Sequence, residues 1–329
     1  MKTVRINYID FWSDLDKENC LFTRILKKYY NVEISDKPDY VFCSYFGDSH
    51  FKYRDAVKIF FVGENVVPDF NLYDYALGFH YIDFEDRYLR LPLYVLYDYR
   101  HEAVANKHLL GNDYYLGKSG FCNYVISNPD AAGERDAMVD MLNKYKRVDS
   151  GGRYRNNVGG PVRDKMEFAS KYKFTMSFEN SSTPGYTTEK IYEAFAAGTI
   201  PIYWGNPDIA REFNPKAFVN CHEYGSLEEA CRRIREIDEN EELYLEIMKE
   251  PAYTSDSLAY KYLQEDYTDD FLRNIFECDY GSAKRRNMVY VGRDYQHKMD
   301  CAVRVTRGLD VIKKPIHLLN KTIKQKTSR

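Results

Sequence analysis

The chain has 329 residues, 44% of them hydrophobic, which is enough for two domains of ordinary size, each with its own core. A formal net charge of −3 at pH 7 argues against a general nucleic-acid-binding protein. The seven cysteines include no CxxC pair, and their odd number favours free thiols in a reducing cytoplasm. Met1–Ile6 leads directly into a predicted strand, and no apolar run approaches bilayer thickness, so we expect neither a signal peptide nor a transmembrane segment.

The first part of the chain has the pattern of an α/β domain. Strands are predicted at Val4–Tyr8, Tyr40–Ser44 and Lys58–Val62, with a helix near Cys20–Tyr30. Glu64 follows the third strand after one glycine, which places it at the carboxyl end of a strand, where α/β proteins bind ligands. A lone glutamate after a strand is otherwise an ordinary surface group, and the local pattern leaves that alternative open.

The stretch Lys171–Asn220 carries the strongest local signal in the chain. Alternating apolar and polar residues predict a strand that ends at Asn180, followed by a polar loop that contains Pro and Gly. A short helix follows, with Thr187 as its cap and Gly198 at its end, and then a second strand at Ile200–Trp204. A strand, loop, helix and strand in this order predict two parallel strands with a right-handed crossover.

The loop and helix start of this unit are typical of a site for an anionic nucleotide. Free backbone amides at a helix start favour a phosphate group, and Lys190 adds a full positive charge. Tyr186 offers a ring and a hydroxyl, whereas Asn180 and Glu189 can hydrogen-bond the hydroxyls of a ribose or a hexose. The alternative is an ordinary βαβ unit in which Glu189 and Lys190 form a solvated helix start.

A longer pattern surrounds this unit. Its core reads FENS, then GYTTEK, then GTIPIYWG, without a gap inside the motifs. The matching segments outside this core are Phe61–Asn65, Pro68–Ala76, Arg87–Pro92, Val125–Asn128 and Phe213–Asn220. This pattern closely resembles that of the α-1,3/1,4-fucosyltransferases of glycosyltransferase family 10, and its bacterial members most of all. The resemblance covers most of residues 55–275.

The resemblance implies a GT-B fold, in which two Rossmann-like α/β domains face each other across a cleft. We predict an acceptor-side domain over residues 1–117, a GDP-fucose-binding domain over 118–280 and a basic helical tail over 281–329. The implied activity is inverting α-1,3-fucosyl transfer from GDP-β-L-fucose to the GlcNAc of an N-acetyllactosamine-type glycan, on lipopolysaccharide or another surface glycan. The alternatives are an α-1,4- or dual-specificity enzyme, another GT-B transferase, and a glycan-binding module without catalysis. Glu64, Glu189 and Lys190 together argue against the last alternative.

The same resemblance assigns roles to individual residues. Glu64 corresponds to the family's catalytic base, and Glu189 to a glutamate that binds sugar hydroxyls and stabilises the cationic transition state. Lys190, Tyr186 and Arg135 correspond to residues that contact the diphosphate. The other donor-binding positions are Asn180, beside the fucose, and Val125, Ser127 and Asn128, beside the nucleoside.

We expect no essential divalent metal and no cofactor besides the donor substrate. Lys190 and Arg135 can supply the positive charge that a metal ion would otherwise place on a diphosphate. The Asp-x-Asp triplet Asp14–Asp16 precedes a predicted helix and is better explained as a helix cap. The Gly-rich loop at 149–160 lacks P-loop spacing, and we weigh a segment that closes over the donor equally with a disordered surface loop.

The C-terminal tail differs from the rest of the chain in charge. Residues 303–329 hold eight Lys or Arg and one acidic residue. Apolar residues spaced alternately by four and three form one helical stripe, in which Pro315 is expected to break or kink the helix: Val305, Leu309, Ile312, Ile316, Leu319 and Ile323. Such a helix fits an anionic membrane surface, which predicts a cytoplasmic protein at the inner face of the membrane. Docking on the protein, or pairing in a homodimer, is the alternative.

Overall fold

A computed structural model of the chain describes the backbone of residues 1–327 and the side chains of residues 1–309. Within these residues there are two β-sheets, and every strand pair is parallel. The strands of the first sheet are β1 (Thr3–Ile9), β2 (Asn31–Ile34), β3 (Tyr40–Cys43), β4 (Val57–Phe61), β5 (Tyr75–Gly78) and β6 (Tyr88–Arg90). The strands of the second sheet are β7 (Gly120–Tyr124), β8 (Val148–Ser150), β9 (Tyr172–Phe178), β10 (Ile200–Trp204) and β11 (Val219–Asn220).

Helices connect and cover these strands. In chain order they are α1 (Leu21–Tyr29), α2 (His101–Ala105), α3 (Asn112–Leu116), α4 (Glu134–Asn143), α5 (Lys165–Ala169), α6 (Lys190–Ala196), α7 (Leu227–Glu239), α8 (Glu241–Lys249), α9 (Leu258–Tyr262), α10 (Glu265–Glu277) and α11 (Val291–Thr327). The first sheet has the order β2-β1-β3-β4-β5-β6, and the second has the order β11-β10-β9-β7-β8. Two parallel sheets joined by helices confirm the predicted α/β architecture with two units.

The elements predicted from local patterns are present. The three strands predicted in the first part of the chain correspond to β1, β3 and β4, and the predicted helix corresponds to α1. The unit from β9 through α6 to β10 has the predicted order, and Gly198 ends the helix with a positive φ of 62°. Strands β2, β5, β6 and β8 have three or four residues each, too few to show a period in the sequence.

Helix α6 begins later than the sequence predicts. Its first residue is Lys190 with Glu189 at the cap position, whereas the sequence predicts Thr187 as the cap. Thr187 instead donates its hydroxyl to Glu212 Oε1 at 2.8 Å, and both the amide and the hydroxyl of Thr188 donate to the Glu179 carboxylate. These buried carboxylates compete for the groups that would otherwise cap the helix.

The hydrophobic core of the first sheet extends into the second half of the chain. Ile191, Tyr192 and Phe195 of α6 belong to the same buried cluster as the side chains of β1, β3 and β4. Helix α10 also packs on this sheet, where the Tyr40 and Phe276 rings stack with centroids 4.3 Å apart. The predicted boundary at residue 280 groups α10 with the second sheet in sequence, but its apolar face fits the first sheet beside α1.

The acidic triplet near the N-terminus forms a turn and does not cap α1. The cap position of α1 is Cys20, whereas Asp16 Oδ1 accepts hydrogen bonds from the backbone amides of Glu18 and Asn19. The expected helix cap is therefore wrong in detail, because the carboxylate closes the turn before the helix.

The C-terminal segment forms one long helix. Helix α11 includes Pro315, where the sequence predicts a break or a kink. Val305 and Leu309 of the apolar stripe are exposed, and the rest of that stripe lies outside the residues whose side chains are described. Near its start, α11 contacts the first sheet, where Asp300 pairs with Arg54 at 3.2 Å. No helix within the described residues is both long and apolar enough to cross a bilayer.

Candidate active site

A buried ion pair lies where β9 ends and α6 begins. Glu179 has no solvent exposure, and its carboxylate accepts from the Thr188 amide at 2.7 Å, from the Thr188 hydroxyl at 2.6 Å and from Lys190 Nζ at 3.0 Å. The Glu189 carboxylate lies 3.7 Å from Lys190 Nζ on the more open side. We call Glu179, Glu189 and Lys190 the donor cluster. Glu179, which the motif reading left without a role, is its central acceptor.

The charges of the donor cluster are set by burial and by mutual attraction. Burial raises the pKa of Glu179. Burial alone would lower the pKa of Lys190, but the carboxylates of Glu179 and Glu189 outweigh it, so this pKa lies well above its ordinary value. Burial alone would raise the pKa of Glu189, but Lys190 and Lys165 outweigh it, so this pKa lies below its ordinary value. Lys190 is therefore a cation and Glu189 an anion at neutral pH.

Tyr186 joins the donor cluster to the predicted base. Its side chain is 1% exposed, and its hydroxyl donates to Glu64 Oε2 at 3.4 Å. Burial raises the pKa of Tyr186 far above its ordinary value, so the phenol keeps its proton and acts as a donor. Glu179, Lys190 and Glu64 all act electrostatically on this phenol, which means that carboxylates following both sheets converge on one ring.

A second contact connects the same two loops. The Asn65 side-chain amide donates to Ser181 Oγ and to Thr183 Oγ1, each at 2.7 Å. Glu64 is exposed, with one side-chain hydrogen bond among the described residues. Its neighbour Asn65 therefore fixes the loop, while the Glu64 carboxylate stays accessible to a substrate.

The largest buried polar network was not anticipated from the sequence. Glu212 has no solvent exposure, and its carboxylate accepts from Arg90 Nη2 at 2.6 Å, from the Tyr94 hydroxyl at 2.9 Å and from Asn206 Nδ2 at 2.8 Å. Arg90 ends β6 in the first sheet, whereas Glu212 follows β10 in the second. Arg90 lies inside a segment that matched the family pattern, but its partner lies 122 positions away, and no local pattern shows such a pair.

The same network extends to the backbone beside Tyr186. Arg90 Nη2 donates to the Gly185 carbonyl oxygen at 2.7 Å, and Arg90 Nε donates to the Phe79 carbonyl oxygen at 2.7 Å. Gly185 has a φ of 90°, and a Cβ added there would lie 2.4 Å from the Phe79 carbonyl oxygen. Only glycine fits this position, and the close approach fixes the backbone that carries the Tyr186 phenol.

Arg135 has the burial of a core residue but few partners. It is 1% exposed, and Nη2 donates to the Pro129 carbonyl oxygen at 3.0 Å. Nε and Nη1 are buried without a hydrogen-bond partner among the described residues. The loop before Arg135 reaches the end of β9, where the Ala132 amide donates to the Asn180 carbonyl oxygen at 3.0 Å. The predicted diphosphate-binding arginine therefore lies near a predicted sugar-binding residue with unused donors.

The remaining predicted donor-binding residues lie around the same edge of the second sheet. Val125 lines a small cavity that also reaches Glu189 and Lys190. Ser127 and Asn128 are exposed, and Asn128 Oδ1 accepts from the Asp130 amide at 2.9 Å. They are available to a ligand at the mouth of the site.

The Gly-rich loop is packed against this edge. A Cβ added to Gly152 would lie 1.8 Å from the Ile126 carbonyl oxygen, so only glycine fits there. The Tyr154 hydroxyl donates to Asp136 Oδ2 at 2.6 Å, and the guanidinium of Arg135 lies over the Tyr154 ring at 5.1 Å. These contacts disagree with the disordered alternative, and they place the loop next to the predicted diphosphate site. No group of three or more metal-binding side chains occurs among the residues described here.

Two family models match the chain. Residues 6–97 match the alpha-(1,3)-fucosyltransferase FucT N-terminal domain, and residues 116–259 match the glycosyltransferase family 10 (fucosyltransferase) C-terminal model. The chain is 36% identical over 320 residues to the alpha-(1,3)-fucosyltransferase FucT of Helicobacter pylori, which covers 84% of this chain and 66% of that protein. It is 31% identical to a putative fucosyltransferase of Acanthamoeba polyphaga mimivirus, of which it spans 28%. The chain therefore spans about two thirds or less of the length of these relatives.

A solved structure supports the same relationship. A crystal structure of an alpha1,3-fucosyltransferase with GDP-fucose is similar with a TM-score of 0.72 and 34% identity, over 85% of this chain and 92% of that one. The family models cover both sheets, and the structural similarity covers most of both chains. This chain therefore belongs to glycosyltransferase family 10, the fucosyltransferases.

Proposed function

We propose that this chain is a GDP-fucose-dependent α-1,3-fucosyltransferase that inverts the configuration of the transferred sugar. The observation that carries this proposal is the convergence of Glu64 and the donor cluster on Tyr186, with Glu64 Oε2 3.4 Å from the phenol oxygen. Family membership supports fucosyl transfer, and the name of the Helicobacter pylori relative supports an α-1,3 linkage.

Glu64 is the proposed general base. Inversion in one displacement requires one carboxylate to remove the proton of the attacking hydroxyl. Glu64 meets this requirement because it is exposed and ends a loop whose backbone is tied to the opposite sheet through Asn65. The acceptor hydroxyl would lie between Glu64 and the anomeric carbon of the donor.

Lys190, Arg135 and Tyr186 are the proposed partners of the departing diphosphate. Buried N–H and O–H donors aimed at developing negative charge act without reorganisation, which is an effective way to stabilise a leaving group. Arg135 supports this role through its two unpartnered buried nitrogens, and Lys190 through its positive charge. Because three protein donors are available, we propose that no divalent metal is required and that activity persists in a chelator.

Glu189 is the proposed partner of the sugar in the transition state. Its carboxylate is half-buried beside Lys190, and its lowered pKa keeps it ionised. A fixed anion near the anomeric carbon would stabilise the cationic character that develops as the glycosidic bond breaks. Asn180 is proposed to bind fucose hydroxyls, and Val125, Ser127 and Asn128 the nucleoside.

The proposed acceptor is the GlcNAc of an N-acetyllactosamine-type glycan, carried on lipopolysaccharide or another surface glycan. α-1,4- or dual-specificity transfer is the alternative. We propose that the enzyme works in the cytoplasm at the inner face of the membrane, to which the basic tail at 281–329 binds. Homodimer formation through the tail is the competing use of that segment.

The decisive experiment is incubation with GDP-fucose and an array of acceptors, with NMR of the product linkage. We expect fucose on O3 of GlcNAc. We also expect Glu64→Gln to lower turnover by at least about a hundredfold with GDP affinity retained, because general-base catalysis contributes roughly 10²–10⁴. Glu33→Gln, an exposed glutamate on β2, is the matched control. Wild-type turnover in Glu64→Gln would remove Glu64 from the mechanism, and absence of both transfer and donor hydrolysis would favour the glycan-binding alternative.

A further inference from the structure

Three large aromatic side chains are exposed at one edge of the first sheet. Trp12, Tyr45 and Phe46 have 36%, 60% and 53% of their surface accessible. Trp12 lies in the loop after β1, and Tyr45 and Phe46 lie in the loop after β3. The Trp12 and Phe46 ring centroids are 6.4 Å apart, and those of Tyr45 and Phe46 are 6.3 Å apart. We call these three residues the aromatic platform.

The aromatic platform lies on the same edge as the proposed base. The order β1-β3-β4 makes β3 the direct neighbour of the strand that Glu64 follows. Adjacent strands lie roughly 4.8 Å apart, so the loops after β3 and β4 are neighbours in space. The contact between Phe11 and Phe61, with centroids 6.3 Å apart, also connects the loop after β1 to the end of β4.

The loops that carry the aromatic platform are fixed by one aspartate. Asp10 has a φ of 62°, and its carboxylate accepts from the Ser49 amide at 3.0 Å and from the His50 amide at 2.9 Å. The Phe46 amide donates to the Asp10 carbonyl oxygen at 3.0 Å. A non-glycine residue at positive φ is strained, and such strain occurs most often at functional sites. The exposed rings are therefore presented on a rigid backbone.

We propose that the aromatic platform binds a pyranose ring of the acceptor glycan. This inference rests on the proposed function, because it names where the acceptor of that reaction binds. A pyranose has faces of C–H groups that match the negative faces of aromatic rings. A clustered set of exposed rings next to a catalytic carboxylate is otherwise a cost to solubility. An anionic membrane is disfavoured as the occupant, since Asp14, Asp16 and Glu18 lie in the loop beyond Trp12.

The test combines kinetics with direct binding. Trp12→Ala and Phe46→Ala should each raise the acceptor KM about tenfold, since losing one ring contact of this kind changes affinity by that order. GDP affinity and the rate of GDP-fucose hydrolysis without acceptor should stay within twofold of wild type. Trp12→Phe should restore most of the lost acceptor affinity because it keeps a ring. Tyr260→Ala, which removes a ring that is 45% exposed on α9, is the matched control and should change nothing.

Saturation-transfer NMR with N-acetyllactosamine measures saccharide binding without turnover. We expect signals with wild type and their loss in the Trp12→Ala/Phe46→Ala double variant. Unchanged KM and unchanged signals in the double variant would overturn the inference while leaving fucosyl transfer intact. Absence of transfer by wild type, together with platform-dependent saccharide binding, would refute the proposed function and keep the binding site. Dependence of vesicle sedimentation or self-association on the three rings would overturn the inference in favour of a membrane or a second copy.

Discussion

Arg90 and Arg135 are buried to a similar extent, with exposures of 7% and 1%, but their surroundings differ. Arg90 donates to the Glu212 carboxylate and to two backbone carbonyls. Arg135 donates to one carbonyl oxygen, and its Nε and Nη1 have no partner among the described residues. A buried donor without a partner destabilises a protein, so the arrangement around Arg135 is explained by an anion that binds there. The first arginine supports the structure, and the second is available to a ligand.

The two arginines also differ in what they connect. Arg90 joins the end of β6 to Glu212, which follows β10, and so connects the two sheets next to Tyr186. Arg135 lies at the start of α4 and contacts only the second half of the chain. Substitutions should therefore separate the two: changes at the Arg90 pair should act on stability, and changes at Arg135 on ligand binding.

The largest expected effect is on stability at Glu212. Glu212→Gln should lower the free energy of unfolding by about 3–5 kcal/mol, because it leaves the Arg90 guanidinium buried without its counter-charge. Urea denaturation measures this effect. The Arg90→Met/Glu212→Leu double variant removes both charges and should recover most of the loss. A loss below about 1 kcal/mol in Glu212→Gln would mean that the pair is not structural.

Lys190 tests whether one cation can have both roles. Lys190→Met should lower stability by about 2–3 kcal/mol at pH 8, because Glu179 loses its counter-charge in a buried site. Burial already raises the pKa of Glu179, so in the folded state it takes up a proton at a pH where the unfolded chain is still ionised. The stability deficit should therefore shrink from pH 8 to pH 5 in thermal denaturation. A pH-independent deficit would contradict this coupling. GDP affinity should fall as well, measured by calorimetry.

Arg135 should show the opposite pattern to Arg90. Arg135→Ala should weaken GDP binding at least about tenfold, since a hydrogen bond to a charged group contributes about 1.5–3 kcal/mol. The free energy of unfolding should stay within about 1 kcal/mol of wild type because few contacts are lost. Calorimetry with GDP measures the first effect, with Arg235→Ala on the exposed face of α7 as control. Unchanged GDP affinity would remove Arg135 from the donor site.

The smallest effect is expected at Lys107, a buried cation whose only partners in the described residues are the Ile247 and Met248 carbonyl oxygens. Burial lowers its pKa to about 7. Above pH 7 the folded chain loses this proton while the unfolded chain keeps it until about pH 10.4, so stability rises with pH in that window. Lys107→Met should stabilise the protein by about 1 kcal/mol at pH 7, and this gain should vanish near pH 10. An equal gain at both pH values would contradict the shifted pKa.

Much of the site follows from local sequence. The alternation before Asn180, the positive-φ glycine at Gly198 and the position of Glu64 after β4 are set by residues within a few positions of each other. Backbone preferences and apolar periods act over that range, which is why these elements are predictable. The family motif adds the identity of Tyr186, Glu189 and Lys190 as a group, and the structure brings them together with Glu64.

Other features were decided by tertiary structure alone. Thr187 does not cap α6 because its hydroxyl bonds a carboxylate 25 positions away, and α10 packs on the first sheet because its apolar face fits beside α1. Glu179 and Glu212 look like ordinary polar residues in the sequence, yet both are fully buried acceptors. The sequence by itself determined the strands, the helices and the motif. The partner of each buried charge depends on which segments meet in space, and long-range packing decides that.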